Sequence, residues 1–167
     1  MATIITDLKE SFRRGNIYIQ LIYINVGVFV LTTLTEVILQ LFNRSLGGMF
    51  EWLELPASLS RFIVQPWSIL TYMFMHAGVL HILFNMLWLY WFGALFLNFF
   101  SAKHLRGVYI LGGICGGILY MAAYNIFPYF QPMTEYSFML GASASVLAIV
   151  AATALSLIHI SEPTRPE

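Results

Sequence analysis

A histidine and an asparagine stand four residues apart in one apolar run, His81 and Asn85 in VLHILFNMLWLYWFG. A serine opens another, Ser143 in MLGASASVLAIVAATAL. Polar side chains at membrane depth cost free energy and face a bundle interior or a wet cavity, which makes them functional candidates. Residues at i and i+4 share a helix face, so His81 and Asn85 can act on one point. A serine hydroxyl becomes a nucleophile when a base takes its proton, and hydrogen-bond donors stabilise the oxyanion that its attack creates. Each residue also has a plain structural role open to it. The His–Asn pair can bond a neighbouring helix, and a membrane serine commonly bonds a backbone carbonyl. The setting of Ser143 argues for more. Gly141 permits a tight turn or a close backbone approach, and this puts Ser143 at a helix start. There the free N–H groups and the positive dipole end favour negative charge. Ser145 is the neighbouring alternative, but it turns to another face.

The elements that position these residues are membrane helices. Of 167 residues, 59% are hydrophobic and 10% charged, against about 25% charged in an average soluble domain. Mean hydropathy is +0.78. The charges balance to zero, so no basic surface points to nucleic acid. Cys115 has no second cysteine to pair with and reads as a small packing residue among glycines. No Cys/His spacing suits zinc, and neither a metal nor an organic cofactor is implied. The first sixteen residues mix both charges and lack the compact apolar core of a cleavable signal peptide. Ile4, Ile5, Leu8 and Phe12 fall at helical spacing and predict a short amphipathic helix on the membrane surface.

A helix needs about 20 mainly apolar residues to cross a bilayer. Four stretches qualify, roughly Ile17 to Phe42, Val79 to Phe100, Leu105 to Phe127 and Ser143 to Ile158. The last is the shortest, which suits a central helix in a water-filled recess. Lys9, Arg13 and Arg14 precede the first span, and Lys103 and Arg106 lie between the second and third. The positive-inside rule therefore places the N-terminus in the cytoplasm. His81 and Ser143 then lie near the outer ends of their spans, on one side and at similar depth. The loop Asn43 to Met75 is rich in aromatics and poor in charge, so it is expected to lie in the membrane interface. It either anchors the chain or shapes lateral access to the site. Gly112, Gly113, Gly116 and Gly117 form two overlapping GxxxG patterns, which let another helix approach closely. Ala144, Ala148 and Ala152 form a small-residue face on the fourth span, so that helix is expected to pack deep among the others.

The stretch Trp67 to Gly93, with His76, His81 and Asn85, resembles the second helix of the rhomboid family of intramembrane serine proteases. Gly141-Ala-Ser143 resembles that family's G-x-S motif. The resemblance extends over about residues 12 to 155 and includes the spacing of the motifs, the character of the first loop and the orientation. It implies an all-α integral membrane protein, a rhomboid-like helical bundle with four of six core transmembrane helices present. It implies Ser143 as the nucleophile, and His81, Asn85 and the Ser143 backbone N–H as the oxyanion hole. His76 matches a position that helps hold water or structure near the site, without a catalytic role. The implied activity is that of a serine endopeptidase. Its partners are transmembrane protein substrates, which enter laterally and unwind locally at small residues, and membrane lipid. The expected location is a bacterial inner (cell) membrane.

Two positions depart from the family pattern. Ala144 follows the nucleophile where the family usually has glycine, and Ser68 follows Trp67 where many relatives have arginine. The family's general base is a histidine on a sixth helix, and the histidines here are His76, His81, His104 and His159. His104 falls in the cytoplasmic loop. His159 is 16 residues beyond Ser143, about 24 Å along a helix at 1.5 Å per residue. His81 is committed to the oxyanion by its match, so the general-base histidine is expected to be absent from this chain. Loss of a triad member can cost about 10⁶-fold in rate, and the chain as it stands is expected to be an inactive fragment. Residues 156–167, SLIHISEPTRPE, resemble translated sequencing-adapter read-through. The expected division is therefore a partial membrane domain over 1–155 and an artefactual tail over 156–167, with the native product continuing through two more helices. Two competing readings stay open: a catalytically dead relative that binds transmembrane clients, and an unrelated small transporter or membrane anchor.

Overall fold

The computed structural model describes Thr6, Glu10, Phe12, Arg13 and residues 15–44 and 48–161. Of the expected surface helix, Ile4, Ile5 and Leu8 lie outside the described residues, as do residues 162–167 of the tail. The chain opens with helix α1 (Ile17–Leu41). A long loop follows, which holds a 3-10 turn (Met49–Trp52), strand β1 (Leu55–Pro56), helices α2 (Leu59–Val64) and α3 (Ser68–Thr71), and a second 3-10 turn (Tyr72–Phe74). Helices α4 (Val79–Phe96) and α5 (Ala102–Ile126) come next. A third 3-10 segment (Gln131–Tyr136) and strand β2 (Phe138–Met139) lead into α6 (Ser143–Ser161).

Helices α1, α4 and α5 are long and apolar enough to cross a membrane, and the apolar stretch of α6, Ser143–Ile158, is shorter. Outward-facing side chains such as Leu31, Leu41, Leu119 and Leu155 are exposed, which suits contact with lipid. Helix α6 packs against both α5 and α4, and α4 also lies on α1. Leu89, Phe96, Leu105, Tyr109 and Ile149 are fully buried between these helices, beside Tyr72 and Met73 from the loop.

Three expectations need correction in detail. Helix α4 ends at Phe96 and not at Phe100, because the chain then tightens into three-residue turns, Asn98 N–H bonding Leu95 O and Phe99 N–H bonding Phe96 O. Helix α5 begins at Ala102, before the expected Leu105, with Ser101 in an extended conformation ahead of it. Its first turn carries Lys103, His104 and Arg106, so a rule based on apolarity misses it. Cys115 is exposed, where a packing residue was expected. The glycines of α5 turn inward, and the helical period carries Cys115 to the opposite side.

The overlapping glycines face two different neighbours. A methyl group at Gly112 would collide with the Ala148 Cβ, and one at Gly116 would lie 2.5 Å from the Ala144 Cβ. Gly113 and Gly117 face the loop, where Met73 crowds Gly113 and Ile69 and Leu55 crowd Gly117, and Gly113 also meets Ser145 of α6. The α5–α6 seam thus brings two backbones together, as small residues allow in membrane helices.

The loop between α1 and α4 is held by side chains that reach back to four consecutive carbonyls. Gln65 Nε2 donates to Glu51 O and Glu54 O, each at 3.2 Å. Trp67 Nε1 donates to Trp52 O at 2.8 Å, and Thr71 Oγ1 to Leu53 O at 2.7 Å. The Trp52 and Trp67 rings stack. Ser68 is fully buried and its hydroxyl has no hydrogen-bond partner among the described residues. Gln65, Trp67 and Thr71 anchor the loop in its place.

Candidate active site

The approach to Ser143 is built by the loop. Strands β1 and β2 pair antiparallel, Leu55 opposite Met139 and Pro56 opposite Phe138. Ala57 N–H extends the pairing to Ser137 O at 2.9 Å. Two residues past β2, Gly141 donates its N–H to Tyr72 O at 2.9 Å. Tyr72 in turn donates its hydroxyl to Gly113 O at 2.6 Å, so one buried residue ties both the turn and α5. Gly141 adopts φ +116°, and a methyl group there would lie 2.7 Å from His81 Nε2. Both the backbone conformation and the imidazole therefore require glycine. The first helical bond of α6 runs from Val146 N–H to Ala142 O. The N–H groups of Ser143, Ala144 and Ser145 thus have no carbonyl four residues back within the helix to accept them.

On the facing helix, His81 lies in the first turn of α4 and Asn85 one turn further on. Asn85 is buried, and its Nδ2 donates to His81 O at 2.9 Å, which fixes the amide and leaves its second proton available. His81, Asn85 and Ser143 line one open cavity of about 520 Å³ with Leu80, Phe84 and Leu147. The residues picked out in sequence are thereby brought together: an exposed serine at a helix start, faced by an imidazole and an amide. Ser145 turns the other way, fully buried against Gly113 with its hydroxyl unpartnered among the described residues.

His76 is buried beside the site. Its ring sits edge-on to that of His81 at 5.1 Å between centroids, and its Nδ1 lies 3.3 Å from Phe74 O. Burial, and next the neighbouring His81, lower its pKa to about 4, so the ring is neutral near pH 7. His104 is remote: it begins α5, where its Nδ1 meets Ser101 Oγ at 3.0 Å, at the end of the bundle away from Ser143. The side chain of His159 lies outside the described residues. Among the described residues, no group of three His, Cys, Asp or Glu is placed to hold a metal ion.

Two supporting residues escaped the sequence reading. Tyr72 carries no spacing signal, because its role depends on a carbonyl of α5 distant in sequence. Asn25, fully buried in α1, donates to Leu21 O at 2.8 Å and to the Tyr109 hydroxyl at 3.2 Å. Its signal was available as a polar residue inside an apolar span.

This helical membrane bundle belongs to the rhomboid family: the family model described as Rhomboid domain matches residues 64–166. Among curated proteins it is similar to the "RHOMBOID-like protein 7" of Arabidopsis thaliana, 38% identical over 55 residues. That stretch is 33% of this chain and 18% of the plant protein. No solved structure matches the chain.

Proposed function

We propose that this chain carries the nucleophile and the oxyanion hole of an intramembrane serine endopeptidase. One observation supports this reading above the others: Ser143, His81 and Asn85 line a single cavity, with Ser143 at the start of a helix. Ser143 Oγ attacks a peptide carbonyl of a transmembrane substrate. The resulting oxyanion is met by the Ser143 N–H, the Asn85 amide and the His81 ring. Loss of one such donor typically costs about 3 kcal/mol of transition-state stabilisation. The apolar lining of the cavity suits a transmembrane segment, which must unwind locally because a helix hides its carbonyls. The proposed orientation keeps the N-terminus in the cytoplasm and the cavity toward the outer side.

A serine needs a base. Among the described residues, none of the histidines is hydrogen-bonded to Ser143, and His81 is occupied by the oxyanion role. We propose residues 1–155 as part of the membrane domain and 156–167, which begin after the Leu155 codon, as an artefactual tail. Sequencing the source gene past that codon checks this directly. The same absence favours a second reading, a non-catalytic relative that binds transmembrane clients. A fluorophosphonate probe applied to the product of the source gene separates the two. Labelling that Ser143→Ala abolishes, along with loss of substrate cleavage, supports the protease; a product that resists labelling, or that still cleaves after Ser143→Ala, overturns it.

A further inference from the structure

We infer that Gly116 is a positioning residue for Ser143, acting through the methyl group of Ala144; the inference rests on the reading of Ser143 as nucleophile. Ala144 directly follows the serine, and its Cβ occupies the space that a Gly116 side chain would need. Carbon atoms in ordinary contact lie 3.5–4.0 Å apart, so the 2.5 Å between a methyl at 116 and the Ala144 Cβ leaves no room for both groups. Neither partner can yield by rotating a side chain, because each Cβ is fixed to its helix backbone. Two further contacts hold this end of α6, Ser145 Oγ over Gly113 in the same turn and Ala148 over Gly112 in the next. With Gly141 N–H held by Tyr72 O, the first turn of α6 is clamped both ahead of the serine and behind it. A methyl at 116 must therefore lift the serine-bearing end of α6 away from α5 by roughly 1 Å, and so shift it relative to His81 and Asn85 on α4. A misplacement of that size can lower catalysis by about 10²-fold.

Ala144 and Gly116 thus form a matched pair. The test is a double-mutant cycle on the product of the source gene, with Gly116→Ala, Ala144→Gly and both together. Gly107→Ala serves as the control, since a methyl at Gly107 meets nothing within 4 Å. Two quantities are measured, the unfolding midpoint and the rate of Ser143 labelling by a fluorophosphonate per folded molecule. Gly116→Ala is expected to lower the midpoint by several degrees and the labelling rate by about 10²-fold. Ala144→Gly in the same molecule restores both, and Gly107→Ala leaves the labelling rate unchanged and does not lower the midpoint, since alanine favours a helix interior over glycine. A Gly116→Ala protein that labels at the parent rate per folded molecule overturns the positioning role, even if its midpoint falls. If Gly116→Ala does not fold, a double variant that folds and labels as the parent supports the pair; one that still fails overturns it. A parent protein that never labels instead overturns the nucleophile reading, and the inference with it.

Discussion

At Gly141 a single missing carbon atom satisfies two demands. Its φ of +116° disfavours any L side chain, and His81 fills the space where a Cβ would go. Gly141→Ala is therefore expected to destabilise the protein by about 1–3 kcal/mol, the usual scale for a strained backbone conformation. Denaturant unfolding in detergent measures it, and an alanine variant as stable as the parent would mean that the turn relaxes freely. The glycine, the serine and the His–Asn pair were all legible in the sequence, because polar and turn-forming residues in an apolar run are few and their spacing maps onto a helix face. What could not be read was which residues hold them. Tyr72 is an ordinary aromatic residue until its hydroxyl meets Gly113 O and its carbonyl meets Gly141 N–H. Ser68 is the converse case. The residue was visible in sequence, but that Gln65, Trp67 and Thr71 hold the loop depends on where four carbonyls point.

Among the elements, the long helices announced themselves by length and apolarity, while the two-residue strands did not. Two residues carry no period, and β1 finds its partner only because α5 and the loops around it bring β2 alongside. The GxxxG pattern foretold a close helix contact on α5. It did not show that Gly112 and Gly116 take α6, that Gly117 takes the loop and that Gly113 meets both, since that division depends on how the helix is rotated. The first loop offers a test of its own. Gln65→Leu leaves Glu51 O and Glu54 O without their donor, and an unmet polar group costs about 1–3 kcal/mol when buried. Faster limited proteolysis near residues 51–54 and a lower unfolding midpoint are the expected results. Unchanged protection would show that water takes over these carbonyls without loss.

For the molecule as a whole, the distribution of basic residues is the basis of the proposed orientation, which the helices alone leave open. Lys103 and Arg106 lie at the start of α5, just past the α4–α5 turn, while the segment from Asn125 to Tyr136 holds no lysine or arginine. In a Cys115→Ser background, Gln131→Cys should react with an impermeant maleimide in intact cells and Ser101→Cys only after permeabilisation; the reverse pattern would invert the proposed orientation. The loop anchors also bear on the order in which the protein is built. Gln65, Trp67 and Thr71 reach carbonyls 11 to 18 residues back along the chain. The bonds that join this loop to the segments leading into α6 span 68 and 77 residues, Asn125 to Ala57 O and Ser58 to Glu135. Short closures cost less entropy than long ones. The loop can therefore assemble during synthesis while the serine codon is still untranslated, and a finished edge then waits for Phe138 and Met139 to arrive. The turn before Ser143 is shaped last, against a template that its own chain has already made.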